Sequence, residues 1–300
     1  MSTALPNLIV AGVHKAGSTS LFTWLSWHPD VGASSKKELH YFTPIRYGGE
    51  AAPLVEYSRY FNGLEERRYR LEASPSYFYG GKALAEAMDA ALESPRVIVL
   101  LRNPAKRFVS FYKHLKANLS LPESETFADF LKQSEAFVEA GSIEDEYHQR
   151  GLREGHYIHY LPEWQEHFGD RSRVVFFEDL VANPEAGLTD LCQWLGLDAE
   201  PYRNRNFSAE NQTTHYSNRL LHGLAVGANR ALEPVLRKSH GLKKAIRKVY
   251  YSMNSGKLEE TVSEAQHQWL AQHYAESNKA LRAWLEANGH SQLPGWLLDA

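Results

Sequence analysis

Lys15 sits inside a glycine-bracketed turn, VAGVHKAGSTSL (10–21), at the end of an apolar run. A nucleotide-binding P-loop reads G-x-x-x-x-G-K-[ST]. Gly12 and Gly17 keep that glycine spacing, but Ser18 occupies the lysine position. A strand ending in Gly12, a turn and a helix from Ser18 would aim several backbone N–H groups at one point, an anion cradle reinforced by the helix dipole. The hydroxyls of Ser18, Thr19 and Ser20 add donors, and the Lys15 charge points into the same cradle. A second anion position is suggested by RVIVLLRNPAKRFVSFY, where Arg102 ends a strand and Ser110 lies about two turns along the next helix. Asn103 suits the cap of that helix and Pro104 its first position. An arginine fork with a hydroxyl nearby fits a phosphate group. In SSKKELHYF (34–42), Glu38 and His40 are two apart, so an extended segment would put them on one face as general base and orienting group.

The elements that must position these groups are legible as alternating apolar runs and helical patterns. NLIVAGV (7–13), YRLEAS (69–74), RVIVLLR (96–102) and RVVFFEDL (173–180) read as buried parallel strands. Continuous rather than alternating apolarity is what a sheet covered on both faces requires. STSLFTWLSWH, GKALAEAMDAALES and PAKRFVSFYKHLKANL read as the intervening helices. The expectation is a three-layer α/β/α fold with a central, mainly parallel sheet, sites at the strands' carboxyl ends, and a mostly helical C-terminal part. The tail EAQHQWLAQHYAESNKALRAWLEANG reads as an amphipathic helix ending at Gly289.

Composition excludes several classes. At 43% hydrophobic and 23% charged residues the chain reads as an ordinary globular protein, and a net charge of −3 argues against a general polyanion binder. The single cysteine, Cys192, rules out an intramolecular disulfide and a cysteine zinc site; LTDLCQWLGL reads as a buried helical thiol before a stop at Gly196. His156 and His159 are three apart with no evident third ligand, so no metal is expected. No nucleic-acid motif is present. No apolar run approaches the ~20 residues that span a bilayer, and the chain is expected to be cytoplasmic. One composition shift stands out between Arg219 and Lys257, where nine lysines and arginines face the single acid Glu233. That stretch is either a solvated helix face or a lid, an acceptor-facing segment or a peripheral membrane contact.

Taken in order along the chain, these segments resemble the sulfotransferases that use 3′-phosphoadenosine-5′-phosphosulfate (PAPS), nearest to the carbohydrate type acting on heparan sulfate. Lys15, Gly17, Ser18, Thr19 and Ser20 match the family's K-x-G-[ST] loop; Arg102, Asn103, Pro104 and Ser110 match its 3′-phosphate motif. Lys37, Glu38, His40, Tyr41 and Phe42 match K-E-x-H-[FY]-F, and Ser74, Pro75, Tyr77 and Phe78 match S-P-x-Y-F. GHYIHYLPEWQEHFG (155–169) is similar to the family's G-x-Y…L…W…F helix.

The resemblance implies a single domain over 1–300, with a helical, basic insertion at about 215–257. It implies PAPS as co-substrate, 3′-phosphoadenosine 5′-phosphate (PAP) as product and no metal. Glu38 would be the base on an acceptor hydroxyl or amine, and His40 would orient the acceptor or Glu38. Lys15 would stabilise the leaving phosphate, an effect commonly worth ~3–4 kcal/mol. Lys15, Ala16, Gly17, Ser18, Thr19, Ser20, Arg102 and Ser110 would hold the donor; Lys37, Tyr77 and His156 would face the acceptor, a glycan, lipid or small molecule. The chain departs from the family after residue 200, where no clean match to its late basic loop exists and Arg203, Arg205 and Arg219 are the candidates to close over the donor. It also lacks the anchor of the animal Golgi enzymes, which points to a soluble microbial-type relative. Two alternatives remain at this point. A small-molecule kinase would want lysine at position 18 and a strand-end acid for Mg²⁺, for which Glu178 and Asp179 are available. A non-catalytic nucleotide-binding protein would not need Lys15, Glu38 and His40 intact.

Overall fold

In a computed structural model of the chain, residues 4–140, 148–207, 215–216, 255–256 and 261–299 are described. They fall into two compact units: residues 1–107, 153–211 and 268–300, and residues 108–152 and 212–267.

The first unit is built on a five-stranded parallel sheet flanked by helices. Its strands are β1 (Leu8–Gly12), β2 (Val31–Ala33), β3 (Tyr69–Ala73), β4 (Arg96–Leu101) and β5 (Ser172–Phe176), in the order β2-β3-β1-β4-β5. All four pairings are parallel, with Ile9 opposite Glu72 and Val97. Leu8, Ile9 and Val10 are fully buried, as are Val97, Ile98 and Leu100, which is why these strands read as unbroken apolar runs. Because β1 has β3 on one side and β4 on the other, the chain reverses its direction of winding there. The crevice beyond the carboxyl ends at such a point is where open α/β sheets bind ligands.

The helices of the first half are α1 (Ser18–Leu25), α2 (Leu54–Ser58), α3 (Gly81–Ala91) and α4 (Pro104–Ala117). Asn103 caps α4 as expected, its Oδ1 accepting the Lys106 amide at 3.0 Å. They are followed by α5 (Phe127–Glu139), α6 (Leu161–Phe168), α7 (Phe177–Ala182) and α8 (Pro184–Leu195). The last two described helices are α9 (Glu264–Ala287) and α10 (Gly295–Leu298). Cys192 is buried in α8, which stops at Gly196 with φ +66°, and the α9 segment turns out through Gly289 at φ +84°.

The run expected as one strand over 173–180 is divided: β5 ends at Phe176 and Phe177–Ala182 is helical. Glu178 and Asp179 then fall in a first helical turn, where acidic side chains complement the helix dipole. The 155–169 segment is a 3₁₀ turn at Tyr157–His159 followed by α6.

The second unit holds an aromatic cluster of Phe108, Tyr112, Phe127 and Phe130, with Thr126 and Asp129 forming a reciprocal capping box at the start of α5. It also holds a two-residue antiparallel pairing of His215–Tyr216 with Ser255–Gly256. The basic stretch expected as a lid or membrane contact lies, apart from Ser255 and Gly256, outside the described residues, as does Arg219.

Candidate active site

The turn after β1 is set by backbone conformation. Lys15 adopts φ +66° and Gly17 φ +85°. A Cβ on Gly17 would lie 2.8 Å from Cδ2 of Phe177, so glycine is needed both for the left-handed backbone and for the close approach of α7. Ala16 is buried, and Ser18, Thr19 and Ser20 open α1, where amide groups have no acceptor within the helix. Arg102, one residue past β4, donates from Nη1 to the Lys15 carbonyl at 2.7 Å and lies over the Phe177 ring at 4.4 Å. Its Nε is buried with no hydrogen-bond partner. Burial, followed by the positive charge of Arg102, lowers the Lys15 ammonium to about 8, against the opposing pull of Glu38. Burial also lowers Arg102. Two half-buried cations whose charged forms are disfavoured by desolvation, one with an orphaned N–H, make a receptor for anionic groups.

The Glu38–His40 segment joins this receptor from the β3 side. Lys37 Nζ reaches Glu38 Oε1 at 2.5 Å and Ser18 Oγ at 3.4 Å, bridging the cradle and the candidate base. His40 Nε2 lies 3.9 Å from Glu38 Oε2, and the two side chains are 45% and 44% exposed, so an acceptor can reach both. They meet by a different route from the extended face expected. Glu38 and His40 adopt φ +58° and +55°, a left-handed kink at each, and the kinked backbone brings the side chains together. The Glu38 amide donates to the Ala73 carbonyl at 3.0 Å and the His40 amide to Ser74 Oγ at 3.0 Å. His40 Nδ1 also meets Ser76 Oγ at 3.0 Å.

Other expected residues stand elsewhere. Tyr77 is fully buried and its hydroxyl accepts the Phe42 amide at 3.4 Å, so it faces the interior rather than an acceptor. His156 contacts α9: Nδ1 meets Ser277 Oγ at 2.9 Å and Nε2 meets His273 Nε2 at 3.1 Å. Burial and then His273 lower the His156 imidazole to about 4. Ser110 belongs to the second unit. Arg203 pairs with Glu200 at 3.2 Å, and Arg205 lies over the Trp27 ring at 5.1 Å. Glu178, the strand-end acid a kinase could use, accepts the Asn103 amide at 3.0 Å and the Trp296 indole N–H at 3.2 Å; it is a structural acceptor. Among the described residues no group of three or more His, Cys, Asp or Glu could hold a metal ion. Sequence reasoning passed over Glu72, Tyr57 and Phe177; the one available signal was an acid inside a buried strand, YRLEAS.

The chain is similar to several known proteins. A family model described as "Sulfotransferase domain" matches residues 5–277. A bifunctional heparan sulfate N-deacetylase/N-sulfotransferase 1 of Caenorhabditis elegans is 26% identical over 209 residues, 66% of this chain and 23% of that protein. A membrane-associated sulfotransferase, kil1, of Dictyostelium discoideum is 31% identical over 139 residues, 45% of this chain and 29% of that protein. The chain thus spans less than a third of the length of either relative. A solved sulfotransferase structure from Alicyclobacillus acidocaldarius superposes with a TM-score of 0.58 at 25% identity, covering 79% of this chain and 96% of that one.

These relatives correct the cytoplasmic placement. It was argued from the lack of an apolar span, and among the described residues no helix is long and apolar enough to cross a membrane. A relative named as membrane-associated removes that argument, because an anchor outside a catalytic domain leaves no trace in the domain's own hydropathy. With the parallel sheet, the glycine cradle and a family match from residue 5 to 277, the chain belongs to the sulfotransferase domain family.

Proposed function

We propose that the protein transfers a sulfuryl group from PAPS to a hydroxyl or amine of a carbohydrate acceptor. The observation that carries this reading is the linked set at the carboxyl ends of β1, β3 and β4. Lys15, Lys37 and Arg102 converge there, bonded through the Lys15 carbonyl, Ser18 and Glu38. The orphaned Arg102 Nε and the depressed Lys15 ammonium fit an anionic donor. The heparan sulfate relative supports a carbohydrate acceptor.

When bound, PAPS would supply the sulfuryl group and a phosphate leaving group. The chain's own residues then have distinct tasks. Lys15 and the α1 amides of Ser18, Thr19 and Ser20 hold the 5′ anionic groups, and the Lys15 charge favours build-up of negative charge on the leaving oxygen. Arg102 is assigned to the 3′-phosphate. Glu38, exposed and beside His40, takes the acceptor's proton at a carboxylate oxygen, and the imidazole orients the acceptor or the carboxylate. Lys37, now on Glu38, can turn to incoming anionic oxygens through the same ammonium.

The test is transfer from labelled PAPS to a panel of glycans, with PAP binding measured by calorimetry. Glu38→Gln is expected to keep PAP affinity within about twofold and to lose transfer by 100-fold or more, within the range of general-base contributions. Normal turnover in that variant would move the base elsewhere.

A further inference from the structure

Glu72 is a fully buried carboxyl group that the transfer chemistry leaves unused. It lies near the end of β3, opposite Ile9 in the sheet register. Burying an unpaired carboxylate is costly, and here the surroundings supply hydroxyl donors. Ser74 Oγ donates to Oε1 at 2.6 Å and the Tyr57 hydroxyl to Oε2 at 3.2 Å. The Tyr77 hydroxyl and the Leu39 amide also favour the charged form of this carboxyl group.

Two amides of the reacting loop are tied to the end of β3 and the residue after it. Glu38 N–H goes to the Ala73 carbonyl and His40 N–H to Ser74 Oγ. Ser74 has one proton, which it gives to Glu72, leaving a lone pair for His40. Glu38 and His40 hold positive φ, a conformation that non-glycine residues keep only where the surroundings impose it.

We propose that Glu72 is a positioning residue for the transfer reaction, its carboxylate holding the Glu38–His40 loop in its left-handed form through the Ser74 hydroxyl. The proposal rests on the assignment of Glu38 and His40 made above. The ionised group accepts from Ser74 and Tyr57 on its two oxygens at once, whereas a protonated Glu72 must place its own proton among these donors and so competes with the Ser74 bond that leads to His40. Burial raises this carboxyl group to about 7, with the Ser74, Tyr77 and Tyr57 hydroxyls and the Leu39 amide pulling the other way. The groups facing it are Tyr57 from α2, Tyr77 from the turn after β3, Ser74 from its own strand and His40 behind Ser74. Burial pushes both tyrosines well above their ordinary range, so they remain neutral donors. The loop should therefore tighten as pH rises through about 7.

The experiment compares Glu72→Gln, Ser74→Ala and Glu38→Gln in the full chain. Glu72→Gln is expected to lower kcat tenfold or more with PAP affinity within twofold, and to erase a rise in kcat through about pH 7. Without any acceptor, hydrogen exchange at the His40 amide should speed up tenfold or more in Glu72→Gln. Wild-type kcat, pH profile and amide exchange in that variant would overturn the proposal. Should Glu72→Gln also lose PAP binding, Ser74→Ala decides, since it cuts the relay and leaves the carboxyl group. Lower kcat and faster His40 exchange with PAP affinity kept support the proposal, and wild-type values overturn it. Turnover surviving in Glu38→Gln would sink the base assignment instead, a result the amide exchange does not share.

Discussion

Glu72 and Glu154 are 0% and 1% exposed in the same unit, and their burial is offset by opposite means. Glu154 sits between two guanidinium groups. Arg46 donates from Nη1 and Nη2 to Oε1 at 3.2 and 3.3 Å, and Arg107 Nη1 lies 4.0 Å from Oε2. Arg46 also lies over the Tyr79 ring at 5.3 Å. Glu72 is satisfied by hydroxyls, and burial raises its carboxyl group to about 7. Both carboxyl groups anchor the same stretch of chain. Arg46 stands in the 3₁₀ turn Thr43–Tyr47 that follows His40, so Glu154 fixes the far end of the segment through its two hydrogen bonds from that guanidinium group. Glu72 fixes the near end, where the reacting side chains are, through bonds that one proton can rearrange. The difference separates an anchor for the fold from an anchor for the reaction.

The sharpest way to break that comparison is at Glu154. Glu154→Ala leaves Arg46 and Arg107 buried without their shared counter-charge and is expected to cost about 3–5 kcal/mol of stability in urea denaturation at pH 7. A loss under about 1 kcal/mol would mean that the tyrosine faces around these arginines neutralise them unaided, and the two carboxyl groups would no longer differ in kind.

The second test follows stability against pH. A carboxyl group whose folded pKa is raised binds a proton that the unfolded chain has released, so unfolding free energy falls as pH rises through that interval. For Glu72 the interval runs from 4.5 to about 7. Its full burial makes the contribution about 3 kcal/mol, at roughly 1.4 kcal/mol per unit. Wild type is expected to lose that stability between pH 4.5 and 7, whereas Glu72→Gln should lose much less. Parallel pH curves for the two proteins would show that Glu72 takes up no proton on folding in this interval.

The sequence made the sheet legible and the loop illegible for related reasons. β1 and β4 announced themselves because both of their faces are buried, which leaves an unbroken apolar string. Val31–Ala33 is too short to carry such a string, and the run through Phe177 hid a strand end and a helix start because apolar periodicity cannot separate short strands from buried helices. Lys15, Glu38, His40 and Arg102 were found by residue type and spacing. Their conformations were not. A left-handed Glu38 is held by the Ala73 carbonyl, 35 positions away, and no local pattern encodes that bond. Tyr77 matched a motif and is buried on Glu72; the motif marks the turn, and the side chain's direction is decided by packing.

The smallest effect expected is also the most specific to the hydroxyl-satisfied carboxyl group. Tyr57→Phe keeps the ring, and with it the stacking on Tyr41 at 4.0 Å, while removing one donor to Glu72 Oε2. At 3.2 Å this bond is longer than the 2.6 Å bond from Ser74, so the loss should be near 1 kcal/mol or less. The direction of the pH effect matters more than its size. A donor to the charged form lowers a carboxyl pKa, so deleting it should push Glu72 further up and move the rise in kcat to higher pH. If the midpoint moves down instead, the phenol opposes the carboxylate, and Ser74 is left as the contact that holds the reacting loop.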